Sequence, residues 1–384
     1  MPADRRHVLR LVLSGALACL IAQGLGRFLL TPLLPAMQAA GGFDDRAAGL
    51  LAAANFAGYL AGALLVLLAP LGQALAVQGG LALVIAGSLA MVGPVSLWLP
   101  GRALAGLGGA LLFLAGSAKA AAGLERAGRG PLAGIVFAGV GVGIALGGLL
   151  SLAVLPAWRW AWLLGSIAAA ACWPLLAERG PARAASGTTA GRLAWDRPLL
   201  ALSLSYGCAG LAFGAGSTFF VRAFAAGDPT RAILAWALAG AAATPSTLAW
   251  VRLGRRTGTR AALAVATVIL SLGTGLAGVG QSPALALAAG TLLGGTFIGV
   301  TALAMTLARE LAPQAPARAG GLVTTAFGLG QVAGPVIAGR LLAALGPGPA
   351  LMVPAAVALV GTLALAVGSP SPARGSTPAP RVPS

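Results

Sequence analysis

Residues 139–148 read GVGVGIALGG, and residues 330–339 read GQVAGPVIAG. Both fit the pattern G-x-x-x-G-x-x-x-[GA]-G, and they begin 191 residues apart in a chain of 384. Small residues four positions apart let membrane helices approach closely. Each stretch therefore predicts a tightly packed helix, and the pair predicts two similar halves.

Two further glycine matches support the repeat. GLG at 24–26 recurs as GAG at 214–216, an offset of 190 residues, and Gly108-Gly109 recurs as Gly294-Gly295, an offset of 186. Parallel repeats with a site between them are a transporter design. Helix packing alone would also explain most of the single glycines.

The composition indicates a membrane protein. The chain is 58% hydrophobic and 9% charged, with a mean hydropathy of +0.91, whereas a soluble domain carries about 25% charged residues. A net charge of +17 would suggest nucleic acid in a soluble protein. Here the arginines are scattered between apolar runs with no basic stripe, so we expect no nucleic-acid partner.

Breaks at charges, prolines and glycine clusters divide the chain into twelve apolar segments, and a membrane helix needs ~20 residues. No period-two alternation supports a β-barrel. We predict an all-α polytopic membrane protein of twelve helices in two pseudo-symmetric six-helix bundles. The predicted spans are 11–37, 47–69, 75–99, 103–122, 131–155, 159–177, 198–224, 231–250, 261–280, 283–308, 319–342 and 350–367.

The longest polar interruption falls at the middle of the chain. Residues 178–197 are typical of a flexible cytoplasmic linker between bundles at 1–177 and 198–368. Residues 369–384 are rich in Pro and Ser, and we expect a disordered tail there.

The arginines predict the orientation. With the N-terminus in the cytoplasm, seventeen arginines fall on cytoplasmic segments and six on the opposite loops. Cytoplasmic loops carry the excess of Lys and Arg, so we expect an inner-membrane protein with both termini in the cytoplasm. Arg159, Arg222, Arg231 and Arg340 stand within two residues of a span end and are counted with the opposite loops, which leaves Arg27 and Lys119 as the basic residues assigned to spans.

Twelve spans, a central loop and twin halves resemble the major facilitator superfamily. The 139–148 string is similar to its antiporter-type motif, with Ile144 where that motif has proline, and residues 330–339 keep a proline. The resemblance implies conformational roles for Gly139, Gly143, Gly147, Gly148, Gly330, Gly334 and Pro335.

The loop VRLGRRTGTRAAL at 251–263 also resembles a superfamily motif, its basic loop. Arg256, Gly258 and Arg260 match that motif, and Arg255 stands where it has aspartate.

Five longer strings are similar to the YbfB/YjiJ-type branch of the superfamily. They are GLGRFLLTPLLPAM at 24–37, AANFAGYLAGAL at 53–64, YGCAGLAFGAGSTFF at 206–220, GGTFIGVTALAMTLAR at 294–309 and TTAFGLGQVAGP at 324–335. The resemblance covers all twelve spans and implies a transporter, without implying a substrate.

Arg27 lies deep in the first span. An arginine at the bilayer centre costs ~2.5–3.5 kcal/mol on insertion scales and normally faces a bundle interior or an aqueous cavity. One interpretation is a cationic anchor for an anionic solute group, held by two hydrogen bonds. The other is that Arg27 caps carbonyls freed by a kink at Pro32 and Pro35, or braces two helices.

Uncharged polar residues inside the spans complete the predicted substrate site, although each could instead bond a neighbouring helix. They are Asn55, Tyr59, Tyr206, Thr218, Thr296 and Gln331. Lys119 is a possible second cation, or it reaches the membrane interface.

Metal and cofactor chemistry is not expected. The one histidine, His7, lies in the N-terminal tail, and Cys19, Cys172 and Cys208 sit singly in apolar runs. An integral-membrane enzyme would need clustered His, Asp or Glu at membrane depth, so we expect no enzyme.

The carboxylates all fall in tails, loops or helix ends. Proton-driven carriers commonly use a membrane-buried Asp or Glu. We therefore expect that any coupled proton moves on the solute itself. Otherwise the carrier exchanges anions or transports passively. Burial of Glu310 would weaken this hypothesis.

The predicted function is secondary transport of a small organic anion or zwitterion by alternating access. The partners are then a small solute and the lipid bilayer, and we expect a monomer. A drug or metabolite efflux carrier for lipophilic compounds is the alternative. A non-transporting receptor is another, but it would usually add a soluble signalling domain.

Overall fold

The computed structural model describes residues 2–69, 71–177, 196–225 and 228–367, and these form a helical bundle without strands. We number the membrane helices in chain order. They are α1 (Arg5–Gly41), α2 (Asp45–Leu68), α3 (Gln73–Ala90), α4 (Trp98–Arg126), α5 (Ala133–Val154), α6 (Arg159–Ala171), α7 (Arg197–Phe224), α8 (Pro229–Thr257), α9 (Thr259–Leu276), α10 (Pro283–Leu311), α11 (Pro316–Leu345) and α12 (Pro347–Val367).

Eleven helices in the described ranges are long and apolar enough to cross a membrane. The twelfth, α6, falls short because it is interrupted at Cys172 and resumes as the short helix Trp173–Leu176. Pro174 lies in the first turn of that short helix, where a missing N–H costs little. The predicted tail and linker lie outside the described residues, except that Asp196 caps α7 and Arg197 opens it.

Two predicted boundaries in the first half were wrong. The third span was expected to reach residue 99, but α3 ends at Ala90 and a turn containing Gly93 and Pro94 follows. The fourth helix begins at Trp98, ahead of Pro100. Proline is tolerated in a first turn, where N–H groups have no helical partner. Arg102, which falls just outside the predicted fourth span (103–122), is therefore inside α4.

Helix α1 changes register in its middle. Residues Ile21–Phe28 form a π-helical segment between Pro2–Leu20 and Leu30–Gly41. The N–H of Leu29 bonds the carbonyl of Gly24, five residues back, at 2.9 Å. Such segments insert an extra residue into a helix and are frequent at functional sites.

The long glycine repeat produces the same contact twice. A Cβ at Gly139 or Gly143 of α5 would collide with the carbonyl of Ala16 or Leu20 in α1. A Cβ at Gly330 or Gly334 of α11 would collide with the carbonyl of Gly207 or Leu211 in α7. The α7 carbonyls lie 191 residues after those of α1. The duplication expected from the sequence is therefore present in the packing.

The match of Gly108 with Gly294 was wrong as a structural equivalence. Gly108 packs on Gly80 of α3, whereas Gly294 packs on Ala239 of α8. Gly106 is the better counterpart of Gly294, because it meets the carbonyl of Asn55 in α2 in the same way.

The first half (α1–α6) and the second half (α7–α12) meet along three helix pairs. They are α2 with α11, α5 with α8, and the Leu30–Gly41 part of α1 with α7. Helices α4 and α10, which are described throughout, do not pack closely. The halves are thus joined most fully at the end that carries the α1–α2 and α7–α8 connections.

Candidate functional site

Arg27 lies in the last turn of the π-helical segment of α1, between the two halves. Its side chain is 8% exposed. The Nη2 group donates to Gln331 Oε1 of α11 at 2.6 Å, and Nη1 makes a long contact of 3.5 Å with Gln23 Oε1. The buried Nε has no hydrogen-bond partner. Arg27 therefore uses little of its donor capacity on the protein.

Aromatic rings enclose the Arg27 guanidinium. Its carbon lies 5.3, 4.6 and 4.5 Å from the ring centroids of Phe28, Phe56 and Tyr59. The cation is attracted to these ring faces, but the rings carry no negative charge. Within the described part of the chain, no carboxylate contacts Arg27. A buried cation without a counter-ion is costly, and this arrangement favours an anion that arrives from outside the protein.

Arg102 is a functional candidate that the sequence interpretation missed. It is 1% exposed, its Nη1 donates to Gly26 O at 3.2 Å, and its Nη2 donates to Arg27 O at 2.8 Å. Asn55 Nδ2 donates to Gly26 O at 2.9 Å and to Arg102 O at 3.0 Å. Arg102 and Asn55 thus satisfy the carbonyls of the π-helical segment, a role that the sequence left open for Arg27.

Two of the other predicted site residues are tyrosines, one in each half. Tyr59 lies beside Arg27, and its hydroxyl accepts a hydrogen bond from Gln23 Nε2 at 3.3 Å. Tyr206 donates to Thr301 Oγ1 at 3.1 Å and stacks on Phe327.

The threonines are bonded within their own helices. Thr218 lines the small cavity beside Arg27, yet its hydroxyl donates to Gly214 O at 2.7 Å. Thr296 donates to Leu292 O at 2.7 Å. The structure therefore brings together Arg27, Tyr59 and Gln331, adds Gln23, and leaves the Thr296 hydroxyl engaged elsewhere.

A cluster of aromatic side chains from both halves adjoins the site. Phe28 of α1 packs against Phe213 and Phe297 of the second half, with centroids 5.9 and 5.8 Å apart, and against Trp236 at 6.1 Å. Phe213 and Phe297 stack at 4.5 Å. One wall of the site is therefore broad and apolar.

A protein-family model described as "Uncharacterised MFS-type transporter YbfB" matches residues 19–366. The chain belongs to this YbfB-type family of major facilitator transporters. The resemblance predicted from the sequence is confirmed, and the protein is a multi-pass membrane transporter of a small solute rather than an enzyme.

Solved structures agree on the fold of this YbfB-type transporter. Two crystal structures of the nucleoside transporter NupG are similar to it, one of a mutant form with a TM-score of 0.76 and the other with 0.67. Each is 14% identical; they cover 93% and 94% of this chain and 99% and 98% of their own. At this identity the likeness shows the fold alone. No curated protein matches the chain.

The motif residues of the YbfB-type transporter are not part of the Arg27 site. Gly148 packs against Ala237 of α8, and a Cβ at Gly147 would make only an ordinary contact with Leu29 at 3.6 Å. Gly258 turns the chain between α8 and α9 with a φ of 90°, which favours glycine.

The cations of the basic loop and of α4 also lie away from Arg27. Arg260 Nη1 donates to Leu365 O of α12 at 2.8 Å, and Arg256 is exposed. Lys119 is half-buried toward the C-terminal end of α4. None of these three cations is brought to Arg27.

Polar contacts from α1 and α2 cross between the halves on the side of Arg27 that faces the α1–α2 connection. Thr31 Oγ1 donates to Ser217 O at 2.6 Å. Arg222 of α7 forms a two-point ion pair with Asp45 of α2 at 3.1 and 3.2 Å, and Gln38 also donates to Asp45. Together with Arg27–Gln331, these contacts close the transporter at the end where α2 begins and α7 ends.

Proposed function

We propose that this YbfB-type transporter moves a small organic anion or zwitterion across the inner membrane, and that Arg27 anchors the anionic group. One observation carries the proposal: Arg27 is buried between the halves, has free donor capacity and contacts no carboxylate in the described part of the chain. Tyr59, Gln331 and Gln23 border the same guanidinium and would contact the solute.

The energetics favour a carboxylate over a neutral solute at this position. A guanidinium can bind a carboxylate through two parallel hydrogen bonds, about twice as strong as neutral ones. In a water-poor site that pairing also neutralises a charge that the protein leaves uncompensated. A neutral solute would leave the charge in place.

Among the described residues, the carboxylates lie at helix ends, which does not favour coupling by a membrane-buried carboxylate. Glu310 is exposed at the end of α10 and accepts a hydrogen bond from Thr259 at 2.7 Å. Asp45 lies at the first residue of α2 and Asp228 just before α8. We propose that a transported proton, if there is one, moves on the solute.

We further propose that both termini lie in the cytoplasm. The closed end of the transporter then faces outward, and the C-terminal ends of α4 and α10, which do not pack closely on each other, face the cytoplasm. A cysteine at exposed Thr257 should react with an impermeant maleimide only from the inside. Labelling from the outside of intact cells would contradict this orientation.

A second candidate function is efflux of lipophilic compounds. The aromatic cluster of Phe28, Phe213, Phe297 and Trp236 favours it, because such walls bind apolar ligands without fixed polar partners. On this alternative, binding would not depend on the charge of Arg27.

A thermal-shift screen of the purified transporter distinguishes the two functions. Each carboxylate is paired with its primary amide, as in acetate and acetamide or benzoate and benzamide. Uridine is added as a neutral solute, because NupG is a nucleoside transporter. We expect carboxylates to raise Tm in the wild type, their amides to act weakly, and Arg27→Gln to lose the response. Equal stabilisation of wild type and variant would overturn the anionic proposal.

A further inference from the structure

We infer that Gln331 is an internal substitute for the solute, and that an anionic group displaces it from Arg27 and thereby releases α11 from α1. This inference rests on the proposed function, since it assumes that the solute brings an anionic group to Arg27. It assigns Gln331 a role beyond lining the site: the side chain through which binding loosens the two halves.

The Arg27–Gln331 bond joins residues 304 positions apart, one in each half. At 2.6 Å it is short, and both side chains are nearly buried, at 8% and 4% exposed. The donor is charged and the acceptor is one neutral amide oxygen. A carboxylate offers two oxygens and a full negative charge to the same guanidinium, so it is the stronger partner.

Each side of this bond is fixed to its own half. Arg102 and Asn55 hold the Gly26 and Arg27 carbonyls on the first-half side. On the second-half side, Gly330 and Gly334 flank Gln331 and press α11 against α7. Because neither backbone is free to follow the other, loss of the bond removes a direct tie between the halves.

The space beside Arg27 is too small for an organic solute as it stands. The cavity lined by Arg27, Asn55, Arg102 and Thr218 measures ≈ 10 Å³, roughly the minimum for one water molecule. Gln331 Oε1 already accepts from Nη2 of Arg27, so a carboxylate that binds both terminal nitrogens of the guanidinium has to displace that amide. We therefore place the loss of the Arg27–Gln331 bond in the same step as binding.

Spin-label distances test the inference without requiring a known solute. Labels on cysteines at exposed Arg46 and Thr230 report the spacing of α2 and α8 at the closed end, after Cys19, Cys172 and Cys208 are replaced by alanine. The variants are Gln331→Met, which removes the acceptor, and Gln331→Glu, which supplies a permanent carboxylate. Thr267→Val is the matched control, because Thr267 is buried in α9 and bonds only its own helix.

We expect one short distance in the wild type and in Thr267→Val, and an added longer population in Gln331→Met. Sodium benzoate, chosen for the aromatic lining, should produce the longer population in the wild type, whereas benzamide should not. Gln331→Glu should keep the short distance with and without benzoate. Elution of every variant as a single species on size exclusion excludes misfolding as the cause.

Two results would overturn the inference and are separable from failure of the proposed function. If Gln331→Met matches the control, the bond does not hold the halves together. If carboxylates raise Tm in an Arg27-dependent way but leave the distances unchanged, the proposed function stands and the displacement does not occur. If no carboxylate acts in either assay, both fall, and the bond is a structural tie only.

Discussion

At the scale of single residues, the two buried arginines donate to different kinds of acceptor. Arg27 donates to side chains, whereas Arg102 donates to backbone carbonyls of α1. Arg27 could be predicted as a site residue because it stands alone in a long apolar run. Arg102 could not, because Pro100 and Gly101 precede it and such residues usually mark a break. Pro100 instead lies in the first turn of α4, where its missing N–H leaves no helical hydrogen bond unmade.

Replacing Arg102 by methionine should destabilise the protein. The Arg27 carbonyl loses its side-chain donor, and an unsatisfied buried acceptor costs ~1–3 kcal/mol. We expect a lower Tm in detergent and a weaker response to carboxylates, since Arg27 loses its support. Arg102→Lys should recover only part of the loss, because an ammonium cannot fork between two carbonyls. Exposed Arg252→Met is the control, and an equal Tm for both variants would contradict the assigned role.

At the scale of helices, breaks at charges, prolines and glycine clusters predicted where the apolar spans lie, but not all of their ends, since α3 stops at Ala90 rather than at residue 99. The π-helical segment of α1 was not predicted, because its stability depends on Arg102 and Asn55, which belong to other helices. Pro32 contributes locally by lacking an N–H for the turn before it. Sequence periodicity reports which face is apolar, but it does not report where a distant side chain supplies a missing hydrogen bond.

Alanine substitution at two adjacent glycines of α3 should affect the stability of the protein differently. At Gly80 a Cβ would lie 2.6 Å from Leu112 N and 2.8 Å from Gly108 O, whereas at Gly79 nothing lies within 4 Å. Gly80→Ala forces α3 and α4 apart, and overpacking costs ~1–3 kcal/mol. Gly79→Ala should be neutral or stabilise by ~0.5–1 kcal/mol through helix propensity. Melting curves of the two variants, compared in one detergent, check this, and a loss of stability at Gly79 would contradict the packing.

At the scale of the whole molecule, the 191-residue repeat predicted the twin halves, but it did not predict how they differ. The halves share a scaffold of glycine contacts, while the charged site residue, Arg27, belongs to α1 alone. At the 191-residue offset its counterpart in α7 is Thr218. The pairing of Arg27 with Gln331, and of Asp45 with Arg222, arises only when the halves meet, so no local pattern encodes it.

The Asp45–Arg222 pair should control the closed end. The side chains are 12% and 37% exposed, so we expect a modest contribution of ~0.2–1 kcal/mol to stability. Asp45→Asn should lengthen the spin-label distance between positions 46 and 230. The double variant Asp45→Arg with Arg222→Asp should restore the short distance, because the same charges then face each other in reverse. An unchanged distance in Asp45→Asn, or a lengthened distance in both Asp45→Asn and the charge-exchange variant, would remove the pair from the gating account.

The central claim is that the transporter carries an anionic solute on Arg27, and counterflow in proteoliposomes tests it most directly. Vesicles loaded with the most stabilising carboxylate are diluted into its radiolabelled form, with wild type, Arg27→Gln and Thr267→Val compared. We predict accumulation of label with wild type and Thr267→Val, no accumulation with Arg27→Gln, and none when the carboxylate is replaced by its amide. Equal accumulation of carboxylate and amide, or transport that survives Arg27→Gln, would contradict the account.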